Sequence, residues 1–132
     1  MKKGLHMGSS TFLTDTVTQD MVAQFGGEVV HPVYSTVAMV YHMEWTSRLL
    51  VLPFLDENEE GMGAEVSVKH IAPTGLGTQV NITATVTDMT DHKVITEVLI
   101  ENEQGLIGRG EVKQAILPKK TVELKVKKSM NE

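Results

Sequence analysis

The spacing of apolar residues changes once along this chain, and that change separates a helix from a series of strands. A segment that is apolar on nearly every side of a helical wheel begins at Ser35 or Thr36 and runs to about Leu52. Either of its first two residues suits the N-cap, and Pro53 makes continuation of the helix unfavourable. The pattern predicts one long helix that other parts of the chain must cover.

From Gly63 the period becomes two, which is typical of a half-buried strand. One face of this strand carries Ala64, Val66, Val68 and His70, and the other carries Glu65, Ser67 and Lys69. Three further strand-like runs, separated by turn-forming residues, cover 80–87, 93–101 and 106–117. We also expect a first strand over 10–18, a loop over 24–34 and a solvated connection over 56–61.

These elements predict an α+β protein in which an antiparallel β-sheet wraps around one long central helix. Consecutive strands joined by short turns pair antiparallel, and a helix that is apolar on most sides needs a sheet to cover it. Because 132 residues support one modest core, we expect a single domain over 1–132. Its core covers about 4–118, and 119–132 form a basic C-terminal tail.

Composition narrows the class of function. The net charge is -5 with 41% hydrophobic residues, so no extended basic surface for nucleic acid is expected. The lack of cysteine excludes disulfides, thiolate metal sites and cysteine nucleophiles. No run approaches the roughly 18 apolar residues of a membrane span, and no apolar signal region follows the first lysines. We therefore expect a cytoplasmic protein without a nucleic-acid or membrane partner.

One carboxylate interrupts the apolar helix. At about 100° per residue, Glu44 is centred in an arc shared with Val37, Val40 and Val51. An ionised carboxylate in such a place must be paired, hydrogen-bonded, protonated or open to a pocket. The pattern alone favours an i,i+4 ion pair with Arg48, worth about 0.3–0.5 kcal/mol.

Two further residues suggest catalysis. His70 points inward in the predicted strand, and an inward imidazole near a carboxylate suits acid-base chemistry, although most inward histidines are satisfied core residues. Thr36 suits an N-cap, and it precedes Glu44 by about 12 Å along a regular helix. The two converge on one ligand only if Thr36 lies in an irregular approach to the helix or a dimer contributes a second chain. His42 lies about 200° around the helix from Glu44, so we predict no metal site.

The arrangement of these residues resembles the hotdog fold and, within it, the fluoroacetyl-CoA thioesterase family. The resemblance covers roughly residues 4–118 and rests on residue types at matching separations. These are Ser35-Thr36, Met43-Glu44-Trp45, Gly63, Val68-Lys69-His70, Ala72-Pro73, Gly75, Gly108 and Gly110. It implies an acyl-CoA thioesterase that hydrolyses a small acyl thioester to free acid and CoA.

The resemblance also implies roles for individual residues. Thr36, Glu44 and His70 would form the catalytic set, with either Thr36, Glu44 or an activated water as nucleophile. Gly63 would contact the acyl thioester through its backbone, and Gln114 stands where the family has a substrate-binding arginine. The segment 24–32 lacks the paired phenylalanines of the fluoroacetyl-specific lid, so another short acyl group or an unknown thioester is expected as the substrate.

The resemblance also implies a substrate carrier and an oligomeric state. Coenzyme A would be part of the substrate and not a cofactor, and the chain would form at least a homodimer with sites at the interface. Lysines within 119–128 are candidates for contact with nucleotide phosphates. The alternatives are a non-catalytic acyl-CoA-binding or sensing module and an enoyl-thioester hydratase, for which no matching helix motif is present.

Overall fold

The computed structural model describes residues 1–131. Seven strands and two helices follow one another along the chain, with short 3-10 turns at Gln19–Met21 and Leu52–Phe54. In order they are β1 (Ser10–Thr16), β2 (Val22–Phe25), β3 (Glu28–Tyr34), α1 (Thr36–Val51), β4 (Glu59–His70), β5 (Gln79–Thr90), β6 (Lys93–Asn102), β7 (Gly105–Pro118) and α2 (Lys119–Ser129).

The main sheet has five antiparallel strands in the order β1-β5-β6-β7-β4. The predicted α+β architecture, one sheet against one long helix, is therefore confirmed. Strands β4 and β5 follow each other in sequence but are not neighbours, because β4 pairs with β7 at the edge of the sheet. This pairing sets His70 opposite Gly108 and Gly63 opposite Gln114.

The predicted central helix is also confirmed. The Ser35 side chain accepts a hydrogen bond of 3.0 Å from the backbone N–H of Ala38, which makes Ser35 the N-cap, and Pro53 lies in the 3-10 turn that follows α1. The buried face of α1 includes Met39 and Met43. A side chain at Gly108 would collide with the first of these methionines and one at Gly110 with the second. The glycines of β7 therefore let α1 approach the sheet closely.

The prediction of a loop over 24–34 is wrong, because β2 and β3 form a separate two-stranded hairpin. Gly26 and Gly27 have φ values of 58° and 83°, which are the left-handed angles that tight hairpin turns require. Most residues of β3 are exposed, so the strand lacks the alternation by which a half-buried strand is recognised.

Three smaller predictions also differ from the structure. The acidic segment 56–61 is only partly a connection, because β4 already begins at Glu59. Ala64 is exposed and not on the inward face, since a bulge between Gly63 and Glu65 leaves it out of register with β7. The basic tail contains a helix, α2, whose residues are mostly exposed. Within residues 1–131, no helix is long and apolar enough to cross a bilayer.

Candidate active site

The structure brings together two of the predicted catalytic residues. The Thr36 Oγ1 atom, in the first turn of α1, lies 2.8 Å from Nδ1 of His70, the last residue of β4. His70 is half-buried, as the period of β4 predicted, together with Val66 and Val68. The contact exists because β4 runs across α1 and ends beside its N-terminus.

The other ring nitrogen of His70 has no such partner. Its Nε2 atom is buried and makes no hydrogen bond to any residue that the structure describes. The bond with Thr36 is therefore the polar contact that orients the imidazole. A hydroxyl and an imidazole in direct contact are a pair that can pass a proton between a reacting group and the protein.

Glu44 occupies a different part of the helix. Its side chain is exposed and packs against the backbone of β4, where a Cβ atom built on Gly63 would lie 2.8 Å from Glu44 Oε2. The predicted ion pair between Glu44 and Arg48 is not formed. Arg48 instead contacts Glu60 at 3.1 Å and donates to the backbone carbonyl of Gly61 at 3.0 Å. Glu44 is open to a small cavity of about 270 Å³ that Tyr41, Trp45 and Arg48 also line.

Within one chain, Glu44 is not close to the Thr36–His70 pair. Both Thr36 and Glu44 belong to the regular helix α1, and eight positions correspond to about 12 Å along its axis. Of the two routes that could bring them onto one ligand, an irregular helix start is therefore ruled out. Convergence requires a second chain.

A larger cavity of about 600 Å³ begins beside Thr36. It lies between the β2–β3 hairpin and the first turns of α1, and its lining is mostly apolar. Val22, Ala23 and Phe25 come from the hairpin, and Val37, Ala38 and Tyr41 come from the helix. Thr36, one member of the Thr36–His70 pair, therefore borders a cavity large enough for a small ligand.

A series of hydrogen-bonded side chains lies next to this cavity, and the sequence did not predict it. The Tyr34 hydroxyl lies 2.6 Å from His42 Nδ1, and His42 Nε2 lies 3.0 Å from a carboxylate oxygen of Asp15 on β1. Tyr34 and His42 are both fully buried. Burial, and to a lesser extent the negative charge of Asp15, raises the pKa of the Tyr34 phenol. The neutral phenol therefore donates to His42, which donates to Asp15.

These hydrogen-bonded side chains also contact the Thr36–His70 pair. The ring of Tyr34 packs edge-on against that of His70, with centroids 6.4 Å apart. Position on the helix wheel placed His42 away from Glu44, and His42 indeed lies on the buried face. The sequence could have indicated this site only through the position of a polar residue, His42, on the buried face of α1. Its partners could not be identified, because they come from distant segments of the chain.

The two predicted substrate-binding residues differ in their surroundings. Gly63 is exposed and adjoins the Glu44 carboxylate, so its backbone is open to a ligand. Gln114 is buried, and its amide donates to the backbone carbonyl of Ser47 at 3.0 Å. The contacts of Gln114 in this chain are internal, and its contact with substrate stays a prediction. Across residues 1–131, no group of three or more histidine, aspartate or glutamate side chains is arranged to hold a metal ion.

Comparisons with known proteins agree on one class. A protein from Thermus thermophilus, described as a thioesterase superfamily member, superposes with a TM-score of 0.93 at 37% identity, covering 98% of this chain and 96% of that one. The fluoroacetyl-CoA thioesterase FlK gives 0.87 at 22% identity, over 96% and 98% of the two chains. A hot-dog-like protein from Thermanaerovibrio acidaminovorans gives 0.87 at 19% identity, over 93% and 91%. The fold is thus that of the hotdog thioesterases.

The family follows from sequence. The profile of the fluoroacetyl-CoA-specific thioesterases matches residues 17–120, which is most of the chain. The chain belongs to this family, as the resemblance in its motifs predicted. Among curated protein sequences, none matches significantly.

Proposed function

We propose that this protein is an acyl-CoA thioesterase that hydrolyses an acyl thioester to the free acid and CoA. The observation that carries the proposal is the hydrogen bond between Thr36 and His70 at the mouth of an apolar cavity, in a chain of this family. Among the similar structures, one FlK variant is a complex with acetyl-CoA and another with fluoroacetate and CoA. CoA is then part of the substrate and not a resident cofactor.

The three candidate side chains fit the reaction. Hydrolysis adds a water oxygen to the thioester carbon, breaks the carbon–sulfur bond and leaves a thiolate that takes up a proton. Thr36, at the N-terminus of α1, offers a hydroxyl to the carbonyl oxygen, and the first helical N–H groups favour the negative charge that develops there. His70 exchanges protons with Thr36, and Glu44 supplies the carboxylate that activates water or attacks the carbon.

A second copy of the chain completes this set. Strand β4 has 12 residues and a free edge, and long free edges invite pairing with another strand. Beside it, α1 exposes Val37 and Tyr41 to 72% and 62%. A twofold axis between two β4 edges turns the helices antiparallel, which moves Thr36 of one copy towards Glu44 of the other. We therefore propose a homodimer with a composite site.

Isosteric substitution of Glu44 tests the chemistry. We expect Glu44→Gln to lower kcat at least about 100-fold with short and medium acyl-CoAs, because it removes the base or nucleophile. Glu57→Gln, at an exposed carboxylate outside the cavities, is the matched control and should retain activity. Tight acyl-CoA binding without thiol release by the wild type would instead support the binding module. Full activity in Glu44→Gln would remove Glu44 from the mechanism.

Subunit mixing tests the composite site separately. Thr36→Ala and Glu44→Gln chains, each inactive alone, are unfolded together and refolded as a mixture. Half of the dimers should then be mixed, each with one intact site, which returns about a quarter of wild-type activity. No recovery from a mixture shown to contain mixed dimers would contradict sites shared between chains and leave the thioesterase activity unaffected.

A further inference from the structure

The cavity beside Thr36 is much larger than a two-carbon acyl group. Its volume is about 600 Å³. A water molecule takes up about 30 Å³ in the liquid, and a methylene group is of similar size, so an acetyl or fluoroacetyl group would leave most of the cavity unfilled. An unfilled apolar cavity gives a substrate none of the free energy that burial of apolar surface supplies.

The lining of the cavity suits a hydrocarbon. Its deeper part is formed by Val22 and Ala38, which are 2% and 8% exposed, and its outer part by Phe25 and Val37, which are 69% and 72% exposed. Thr36, which holds the reacting carbonyl in the proposed mechanism, lies on the same wall. A chain attached to that carbonyl can therefore extend past Val37 towards the buried end.

The neighbouring smaller cavity has a different character. It contains the charged groups of Glu44 and Arg48, and Tyr41 lines both cavities. Charged groups make this cavity a poor match for a hydrocarbon, which leaves the apolar cavity beside Thr36 as the place for the acyl chain.

We infer that the cavity between the β2–β3 hairpin and α1 takes an unbranched apolar acyl chain of at least about six carbons, and that such acyl-CoAs are preferred over acetyl- or fluoroacetyl-CoA. The inference rests on the proposed thioesterase function for the placement of the carbonyl at Thr36. It assigns to the exposed hairpin the role of determining acyl-chain length.

Binding of thioether analogues tests the inference without turnover. S-ethyl-CoA and S-octyl-CoA cannot be hydrolysed, and calorimetry gives their affinities directly. A fully buried methylene is worth about fourfold in affinity, so even partial burial of six should make the octyl analogue bind at least about 30-fold more tightly. Equal affinities for the two analogues would overturn the inference.

A pair of substitutions on the hairpin locates the chain. Ala23→Phe adds bulk to the cavity wall, whereas Val29→Phe adds it to an exposed position of the same hairpin that does not line the cavity. The first should reduce the octyl-to-ethyl affinity ratio at least about tenfold, and the second should leave the ratio unchanged. An unchanged ratio in Ala23→Phe would overturn the proposed location.

Hydrolysis separates the inference from the function. The wild type should show kcat/KM rising from acetyl- through butyryl- to octanoyl-CoA. The highest value with acetyl-CoA would overturn the inference and support the thioesterase. Tight binding of S-octyl-CoA with no release of thiol from any acyl-CoA would support the chain-binding cavity and refute the proposed enzyme.

Discussion

Removal of His42 should destabilise the protein strongly, because His42 is the central member of the hydrogen-bonded series from Tyr34 to Asp15. In His42→Leu the Tyr34 hydroxyl stays fully buried and loses its acceptor, which costs about 1–3 kcal/mol. The bond to the Asp15 carboxylate adds about 1 kcal/mol after a discount, since the Asp15 side chain is 33% exposed and regains water. The free energy of unfolding should fall by about 2–4 kcal/mol.

A double-mutant cycle measures whether the two buried residues act together. Tyr34→Phe alone leaves the Nδ1 atom of His42 without a partner, while Nε2 keeps its bond to Asp15, and should cost about 1–2 kcal/mol. With both residues replaced, neither side chain retains an unsatisfied group, so the double variant should be less destabilised than the sum by about 1–2 kcal/mol. Urea unfolding followed by far-ultraviolet circular dichroism gives all four values.

The control for this cycle is His92→Leu, which makes the same substitution at an exposed histidine outside the cavities and should change stability by less than about 0.5 kcal/mol. Additivity of the two core substitutions within about 0.5 kcal/mol would refute the reasoning, because independent sites add to that accuracy. A loss in His92→Leu as large as that in His42→Leu would also refute it, since burial would then not be the cause.

Four other outcomes follow from single contacts. Gly63→Ala should lower kcat/KM about 10- to 100-fold with little loss of stability, because the new Cβ would lie 2.8 Å from Glu44 Oε2 and displace it; unchanged kinetics would contradict this. Gly110→Ala should reduce the unfolding free energy by about 3 kcal/mol through collision with the backbone of β4, measured in urea. The raised pKa of Tyr34 means that only the unfolded chain loses this proton as the pH passes 10.0, so stability should fall there in the wild type and less in Tyr34→Phe. A backbone N–H and the N-terminal ammonium lower the pKa of Glu59 from 4.5, so the stability that wild type gains over Glu59→Gln should be present above pH 4.5 and disappear as the pH falls further.

Local periodicity predicted most of the elements, because α1 and the strands of the main sheet each bury one side. The alternation in β5, from Val80 to Val86, is fully reflected in burial. The order of the strands was not predictable, since β4 and β7 pair residues as far apart in sequence as Glu59 and Pro118. The hairpin was missed because β3 is exposed and its pattern is that of a loop.

The candidate site, like the fold, was predictable from the sequence only in part. The period of β4 turned His70 inward and the capping pattern put Thr36 at the start of α1, but their contact depends on where β4 ends relative to the helix. The hydrogen-bonded series from Tyr34 through His42 to Asp15 joins side chains of two strands and a helix, so no local sequence pattern could predict it. The residue types therefore indicated the candidate side chains, and the tertiary structure showed which of them are hydrogen-bonded to each other.

Glu44 shows what a helix wheel does not distinguish. Its apolar arc suggested burial within the chain, yet Val37 and Tyr41 in that arc are exposed, and Arg48 is held by Glu60 instead. Val51 in the same arc is in the core, but the exposed part of the arc is costly to leave in water. In the proposed dimer a second copy packs on the arc around Tyr41 and closes the outer side of the apolar cavity beside Val37, which brings the carboxylate to the Thr36–His70 pair of the other chain. The same face of α1 thus forms the dimer contact and supplies the carboxylate. Mixing Thr36→Ala with Glu44→Gln chains distinguishes this explanation from a site within one chain.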